Sequence, residues 1–579
     1  MSSTIKNSIT TFLLLVGLAA SLVAYGSPQE TAGQPADLVL RNGKIVTVDT
    51  AKPEAEALAA RDGIIVAVGT NQEIEPYLGP STKVIDLEGH LAIPGFIESH
   101  AHFMGIGDAQ LQLKLGTAKS WEEIVTAVKN AAEESEEGVW IRGRGWHQEK
   151  WERVPTPNVD GVPTHHALSA VSPENPVALR HASGHASLVN AKAMELSSIT
   201  RDTPEPEGGE IVKDADGNPT GLLRERAQRL IAMPRDWIES HERKKVKLAA
   251  DECLSKGVTS FQDAGSSFPT IDLFKKMAEE GSLDIRLWVM IREPNERLVM
   301  KLPHYKMINV GEQRLTVRAI KRGIDGALGS HGAWLLEPYS DKPESAGLNT
   351  GSPDVIAETA RLAIRHGFQL CVHAIGDRGN RETLDIFEET FQTHPEKKDL
   401  RWRIEHAQHI HPGDIPRFGK LGVIASMQGI HCTSDGPWVV PRLGEKRARE
   451  GAYPWRSLLD TGAVVSNGTD APVEDVDPIA SFYATVTRRL GDGSLFFPEQ
   501  RMTREEALKS YTLSAAYAAF EEDIKGSLTP GKLADITVLS KDIMTIPEEE
   551  IPDAEVLYTI VGGEVKHSKK RGSTTESSR

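Results

Sequence analysis

Metal chemistry is the first possibility raised by a set of polar side chains that follow separate apolar runs. The set consists of His100, His102, Lys321, His373, His406 and Asp470. His100 and His102 are two residues apart, so on an extended segment their rings point to the same side. Neutral imidazoles and a carboxylate suit zinc and similar divalent metals. A single histidine at a strand end usually packs in the core, but four at one face with an aspartate predict a metal centre.

The apolar runs before these residues alternate with helical stretches, which is the pattern of a parallel α/β fold. Eight candidate strands fall near residues 91–98, 258–262, 285–291, 317–321, 369–373, 402–406, 423–427 and 463–466. Helical stretches such as 354–365 and 380–392 lie between them. Eight strands with helical crossovers predict a (β/α)8 TIM barrel, in which the active site lies at the C-terminal ends of the strands.

Two β-rich flanks and one long interval complete the predicted domain organisation. Residues 27–90 and 527–567 are expected to form one small β-sandwich domain, with the barrel at 91–526. Asn42-Gly43 and Asp62-Gly63 are hairpin signals in the first flank. The interval 105–241 separates the first two barrel strands and predicts an inserted region that caps the substrate site. Residues 568–579 are predicted to be a disordered tail.

The composition excludes several classes of protein. The chain has 579 residues, 39% hydrophobic and 26% charged, which is ordinary globular usage. A net charge of −16 argues against partners that need basic patches, such as nucleic acid or an anionic membrane surface. The three cysteines (Cys253, Cys371 and Cys432) are too few for a disulfide framework and are predicted to be buried free thiols.

The first 26 residues have the features of a secretory signal peptide. Lys6 precedes an apolar stretch at residues 12–23, and Ala24 and Gly26 place small residues at positions −3 and −1 of a cut before Ser27. The stretch is shorter than the ~20 residues that a membrane-spanning helix needs. We therefore expect an exported protein, periplasmic or secreted, with no stable membrane span after processing.

Seven segments together resemble the amidohydrolase superfamily of metal-dependent hydrolases. They are residues 93–102, 143–151, 321–330, 373–380, 404–407, 467–473 and 531–535. Within the superfamily, the chain looks most like the amidohydrolase-3 group, whose relatives include N-substituted formamide deformylases. The resemblance extends from about residue 37 to 565. It implies a barrel hydrolase for a carbon–nitrogen bond outside peptides, and it says little about the substrate.

The resemblance also implies a role for each residue of the set. His100, His102 and Asp470 would hold one divalent metal, and His373 and His406 a second. Lys321 matches a lysine that relatives carry as a carbamate bridging the two ions, which we expect to be zinc. A free ammonium has no lone pair for a metal. The alternative for Lys321 is a buried lysine paired with Asp325 or another acid, which would predict a single-metal site.

The mechanism expected from this resemblance is attack by a hydroxide shared between two metal ions, which keeps it nucleophilic at neutral pH. Asp470 would take the proton of the attacking water and pass it to the leaving nitrogen. In the inserted region, the segments that contain Trp146, His181 and His185 resemble segments that close over the active site in members of the family. His181 or His185 could hydrogen-bond the oxyanion. Packing or surface roles are the alternative for all three.

The resulting prediction is a metal-dependent amidohydrolase that cleaves a small N-acyl, N-formyl or cyclic amide. A lactonase or esterase on the same two-metal site is the first alternative. A mononuclear deaminase and a non-catalytic exported binding protein are the others. The sequence does not distinguish zinc from iron or manganese. A homodimer is the commonest assembly to expect.

Overall fold

The computed structural model describes residues 34–148, 151–159, 161–181, 186–206, 209–232, 235–329 and 331–569. Strands and helices are numbered in chain order. The predicted signal peptide at residues 1–26 lies outside the described residues, as does almost all of the predicted tail. No helix in the described ranges is both long enough and apolar enough to cross a membrane.

The centre of the molecule is a nearly closed parallel barrel, as predicted. Its strands follow one another around the barrel in chain order: β8 (Phe96–Ala101), β17 (Val258–Ser266), β18 (Arg286–Ile291), β20 (Leu315–Gly323), β21 (Gln369–Ala374), β22 (Arg403–His406), β23 (Ile424–Gln428) and β24 (Val465–Gly468). A short strand, β19 (Met307–Asn309), pairs with β20 off this path. Every residue of β8 and β18 is buried, as expected for parallel strands covered by helices.

Backbone hydrogen bonds complete the closure between the last strand and the first. The amide of Asp470 donates to the carbonyl of His100 at 2.8 Å, and the amide of His102 donates to the carbonyl of Ala471 at 2.8 Å. Gly468 is required at this junction, because a Cβ there would lie 2.1 Å from Glu98 Oε1 and 2.7 Å from the amide nitrogen of His100. The closure therefore fixes two of the predicted metal ligands next to each other.

Helices cover the outside of the barrel. After β17 these are α7 (Phe268–Glu279), α8 (Asn295–Lys301), the short turn α9 (Val310–Gln313), α10 (Pro353–His366), α11 (Asp377–Thr393), α12 (Ile415–Leu421), α13 (Gly429–Leu443), α14 (Glu445–Gly451), α15 (Trp455–Asp460), α16 (Pro478–Thr487), α17 (Arg504–Ser510) and α18 (Leu513–Ala518). α10 shows why they form: proline occupies its first turn, Ile356, Ala360 and Ala363 bury one face, and Gly367 at φ 67° ends it.

The flanking sheets are assembled from both ends of the chain. One sheet contains β1 (Leu38–Arg41), β4 (Ala57–Arg61), β5 (Ile64–Gly69) and β6 (Lys83–Asp86), with α1 (Asn71–Ile74) beside it. The other contains β2 (Lys44–Val46), β3 (Glu54–Ala55), β7 (Leu91–Pro94), β25 (Ile536–Leu539), β26 (Val556–Val561) and β27 (Glu564–Ser568). Leu40, Leu58, Ile45 and Ile536 share one buried apolar cluster between the sheets.

Two local predictions in this region differ from the structure. The run predicted as one strand at 91–98 is divided at Gly95, with β7 in the flanking sheet and β8 in the barrel. Asp62-Gly63 joins the antiparallel pair β4 and β5 as predicted. The hairpin prediction at Asn42-Gly43 is wrong, because β1 and β2 belong to different sheets. A turn signal specifies a change of direction but not which strands pair.

The long interval after β8 folds as an inserted sheet. The strands of this sheet are β9 (Gln112–Lys114), β10 (Ile141–Trp146), β13 (Val177–His181), β14 (Ala186–Val189), β15 (Gly209–Lys213) and β16 (Pro219–Glu225), and a separate two-stranded sheet contains β11 (Asn158–Val159) and β12 (Val162–Pro163). The helices of the interval are α2 (Phe103–Gln110), α3 (Trp121–Glu134), α4 (His166–Val171), α5 (Ala191–Leu196) and α6 (Arg235–Ser255), which leads back to β17. Elsewhere in the chain, Cys253, Cys371 and Cys432 are free and buried, as predicted.

Candidate metal centre

All six residues of the predicted metal set lie at the C-terminal rim of the barrel. His100 is near the end of β8, His373 lies in β21 and His406 ends β22. Asp470 follows β24 by two residues, at the seam where the barrel closes. Because parallel strands end at one edge, side chains far apart in sequence meet here.

Three of these residues form a tight group that can hold a metal ion. The ligand atoms of His100, His406 and Asp470 all lie within 4.8 Å of one another, and all three side chains are buried. The remaining two histidines adjoin the group. His102 Nε2 is 3.3 Å from Asp470 Oδ1, and the rings of His373 and His406 have their centroids 4.4 Å apart.

Lys321 lies beside this group, in β20. Its Nζ is 3.4 Å from Nε2 of His100, and its side chain is buried. Burial lowers the pKa of Lys321 to about 8. Asp325, one of the acids offered as an alternative partner, accepts the backbone amides of Ile375 at 3.0 Å and Gly376 at 2.7 Å, whereas the carboxylates whose charges act on Lys321 are Glu405 and Asp470.

His100 is held by a buried carboxylate on the opposite side of its ring. Nδ1 of His100 is hydrogen-bonded to Glu405, whose other oxygen is 2.8 Å from Nε of Arg403. Burial opposes ionisation of Glu405, but the neighbouring Arg403 and His100 outweigh it and hold its pKa well below the ordinary value. The ionised carboxylate accepts from Nδ1–H, so Nε2 carries the lone pair that faces Asp470.

His406 is oriented in the same way by an amide. Its Nδ1 is 2.8 Å from Oε1 of Gln428, and the Nε2 group of Gln428 donates to the carbonyl of Ser426 at 3.2 Å. The second bond fixes the amide, so its oxygen faces the ring and Nδ1 must donate. The lone pair of His406 is therefore also on Nε2, the usual arrangement for a metal-binding histidine.

The backbone at this rim is strained where two candidate ligands lie. His406 has φ 74° and Asp470 has φ 59°, both in the left-handed region that residues other than glycine rarely adopt. Such conformations persist only when the surrounding structure fixes them. For Asp470 the surroundings include Thr469, whose amide and hydroxyl both donate to Glu98, at 3.0 and 2.8 Å.

Burial and neighbouring charges leave His100, His373 and Asp470 in the protonation states that metals require. Burial, with the nearby charge of Lys321, lowers the pKa of His100 to about 4 and that of His373 to about 3. Burial also raises the pKa of Asp470, but the hydrogen bond with His102 and the adjacent imidazoles outweigh it and hold the pKa at about 2. Neutral imidazoles and an ionised carboxylate converge on one point, so the residues fit a divalent metal.

The predicted substrate residues lie in the inserted sheet. Trp146, at the end of β10, is almost fully buried, and its Nε1–H donates to the carbonyl of Leu179 at 2.8 Å. His181, at the end of β13, places its ring edge-on to Trp146, and its Nε2 is 3.1 Å from Oε1 of Gln148. His185 lies outside the described residues. Contact of these three with substrate stays a prediction.

Sequence reasoning missed the polar residues that orient the ligands. Glu405 directly precedes His406 and was part of a recognised motif, yet it orients His100, 305 residues away in the chain. Gln428 ends β23, and its position at a strand end was the available signal. His431, three residues further on, lies against His406 with ring centroids 6.3 Å apart and is not a member of the predicted metal set.

A parallel barrel with a buried cluster of neutral imidazoles and a carboxylate at its C-terminal rim defines a metal-dependent hydrolase of the barrel class. Comparison with known proteins gives the family. The sequence pattern of the amidohydrolase family matches residues 83–567, and the chain belongs to that family. The prediction of an enzyme that hydrolyses carbon–nitrogen bonds is thereby confirmed at the level of the family.

Individual relatives cover nearly the whole chain. Protein LONG AFTER FAR-RED 3 of Arabidopsis thaliana is 34% identical over 546 residues, which is 92% of each chain. N-substituted formamide deformylase of Arthrobacter pascens is 27% identical over 550 residues, covering 93% of this chain and 99% of the relative. An uncharacterised metal-dependent hydrolase from Pyrococcus furiosus superposes with a TM-score of 0.71 at 28% identity, covering 88% of this chain and all of that structure.

Proposed function

We propose that the protein hydrolyses the carbon–nitrogen bond of a small N-acyl, N-formyl or cyclic amide, using two divalent metal ions, preferably zinc. The observation that carries the proposal is the pair of fixed tautomers at the rim. Glu405 and Gln428 each engage Nδ1 of a histidine, so two Nε2 lone pairs and one Asp470 oxygen converge. A similar chain is named N-substituted formamide deformylase, which supports an acyl–nitrogen substrate.

The metal-binding roles in this proposal are those that the resemblance to the family implies. His100, His102 and Asp470 would hold one ion, His373 and His406 would hold the other, and Lys321 as its carbamate would bridge them. Ions bound here would supply a Lewis acid and make water a nucleophile at neutral pH. Carbamate formation requires a neutral amine, and the lowered pKa of Lys321 increases the neutral fraction near pH 7 to 8.

Asp470 is the residue we assign to proton transfer. Its Oδ1 lies at the centre of the group, 3.3 Å from Nε2 of His102 and 3.6 Å from Nε2 of His100. With its pKa held at about 2, the carboxylate is ionised and can accept a proton from the attacking water. Returning that proton to the departing nitrogen releases an amine, a better leaving group than an amide anion.

The test is a substrate panel on metal-loaded protein. N-formyl amines, N-acyl amino acids, cyclic amides and matched lactones are compared by kcat/KM at equal concentration. We expect at least one amide to exceed its matched lactone by tenfold or more. Faster turnover of lactones than of every amide would favour the esterase alternative, and release of ammonia from aminopurines without amide cleavage would favour a deaminase.

We also propose that the mature chain acts outside the cytoplasm. The support is the sequence of residues 1–26, with a basic residue, an apolar stretch and small residues before Ser27. Expression of the full chain in a bacterial host, followed by fractionation and mass measurement, should give a periplasmic or extracellular protein that begins at Ser27. A full-length chain retained in the cytoplasm would contradict the proposal.

A further inference from the structure

A third histidine ring lies against the metal cluster without belonging to it. His431 is in the first turn of α13, just beyond β23, and only 7% of its surface is exposed. Its ring is nearly parallel to that of His406, with 10° between the planes and 6.3 Å between the centroids. His431 therefore borders the volume in which the chemistry takes place.

The tautomer of His431 is fixed by an amide, but in the opposite sense to the tautomers of His100 and His406. The Nε2 group of Gln408 is 3.2 Å from Nδ1 of His431. An amide nitrogen only donates, so Nδ1 accepts, and a neutral ring must carry its proton on Nε2.

A buried carboxylate keeps Gln408 in this orientation. Burial raises the pKa of Asp435, and hydrogen bonds from Tyr453 and Gln408 lower it in part. The hydroxyl of Tyr453 donates to Asp435 Oδ2 at 2.6 Å. Because Asp435 attracts the NH2 end of the Gln408 amide, the same end is presented to His431, and the ring tautomer follows.

The Nε2–H of His431 has no hydrogen-bond acceptor among the described residues. This nitrogen is buried and makes no hydrogen bond to any described residue. A buried donor without a partner is rare and costly, so it indicates an acceptor that arrives with a ligand. A nitrogen that carries a proton cannot bind a metal, whereas it can bind an oxygen on which negative charge develops.

We propose that His431 is a catalytic residue whose Nε2–H donates a hydrogen bond to the acyl oxygen of the bound amide. Gln408 and Asp435 are its positioning residues. The inference rests on the proposed function and deepens it, because it assigns to the barrel rim the donor that the sequence suggested for His181 or His185. No proton is transferred in this role; the hydrogen bond shortens and strengthens as the acyl oxygen becomes negative.

The first test compares His431→Phe, which keeps a ring but removes the donor, with His431→Gln, which restores an N–H near the same position. On the best amide of the panel, we expect His431→Phe to lower kcat about 100-fold or more, with KM and metal content little changed. His431→Gln should recover at least about tenfold of that loss. His90→Phe, at a half-buried histidine just before β7 in the flanking sheet, is the control and should keep kcat within about twofold of wild type.

A binding measurement makes the inference testable without turnover. Methylphosphonate, a tetrahedral oxyanion, is titrated calorimetrically into metal-loaded wild type and both variants. We expect the Kd to rise about tenfold in His431→Phe and to recover in His431→Gln. A wild type that hydrolyses no amide would refute the proposed function, while the methylphosphonate affinities would still decide the role of His431.

Three results would overturn the assignment. The first is equal methylphosphonate affinity in wild type and His431→Phe. The second is a kcat of His431→Phe within threefold of wild type. The third is loss of metal from His431→Phe, which would make the ring a ligand or a structural support of the ligands.

Discussion

The barrel rim and the inserted sheet both contain histidines, but they hold them differently. At the rim, His100 and His406 each have one ring nitrogen engaged by a buried polar group, and the other directed to a shared point. In the inserted sheet, the indole N–H of Trp146 donates a hydrogen bond to a main-chain carbonyl, and the ring of His181 packs against other aromatic rings. The rim histidines are thus oriented to bind a metal, whereas the side chains of the insertion mainly pack against one another and can influence which substrates reach the rim.

The largest expected effect is at the rim. Asp470→Asn removes the negative charge of a metal-binding oxygen and also removes the proton acceptor. We therefore expect kcat to fall at least about 1000-fold, which lies within the range of rate losses typical of general acid–base catalysis. Asp272→Asn, at a surface carboxylate that binds Tyr305, is the control and should have wild-type kcat. Near wild-type turnover by Asp470→Asn would remove Asp470 from the mechanism.

The second prediction concerns the residue that orients His100. Glu405→Gln weakens the hydrogen bond to Nδ1 of His100 and leaves Arg403 without its carboxylate, so metal affinity should fall about 10- to 100-fold, as it does when other residues that orient metal ligands are changed. A competing chelator measures this directly. Glu521→Gln, which breaks the buried pair with Lys525 at the other end of the barrel, should leave metal affinity unchanged. Equal affinities in the two variants would show that the orientation of His100 does not matter.

A smaller effect is expected in the inserted sheet. His181→Asn should change KM or substrate preference by about threefold to tenfold and leave metal content unchanged, because substrate contacts in a cap affect binding more than chemistry. Steady-state kinetics on two amides of different size measures both quantities. A 100-fold loss of kcat at constant KM would instead place the oxyanion donor in the insertion and contradict the assignment to His431.

The last effect is on acid stability and tests a rim histidine that lacks a fixed partner. Both ring nitrogens of His409 are buried without a hydrogen bond to any described residue, and burial lowers its pKa to about 3. Between pH 6.5 and 3 the unfolded chain therefore binds one more proton at this position than the folded chain does. The contribution of His409 to the free energy of unfolding is greatest above pH 6.5, and it falls by up to about 1.4 kcal/mol for each pH unit below that. Because His100 and His373 also have lowered pKa values, His409→Phe should reduce the slope of the free energy of unfolding against pH by this one-proton contribution, as measured by urea unfolding across that range. An unchanged slope would show that His409 does not titrate on unfolding.

The barrel could be predicted because its signals are local. Each strand is a short apolar run, and the polar residue at its end marks the rim. The division at Gly95 could not be predicted, because both halves of the run are apolar and only sheet pairing separates them. The orientation of His100 by Glu405 and of His406 by Gln428 depends on register between strands that are distant in sequence. No spacing rule in a single sequence supplies that register.

Metal content per chain is the decisive measurement for the proposed two-metal centre bridged by Lys321. Purified mature protein is analysed beside Lys321→Met and a control, Lys525→Met, which alters another buried lysine near Ser260. We predict about two equivalents of divalent metal in wild type and control, by analogy with other two-metal hydrolases, and a clear loss in Lys321→Met. One equivalent in all three proteins would contradict the bridged centre and place the enzyme among mononuclear hydrolases.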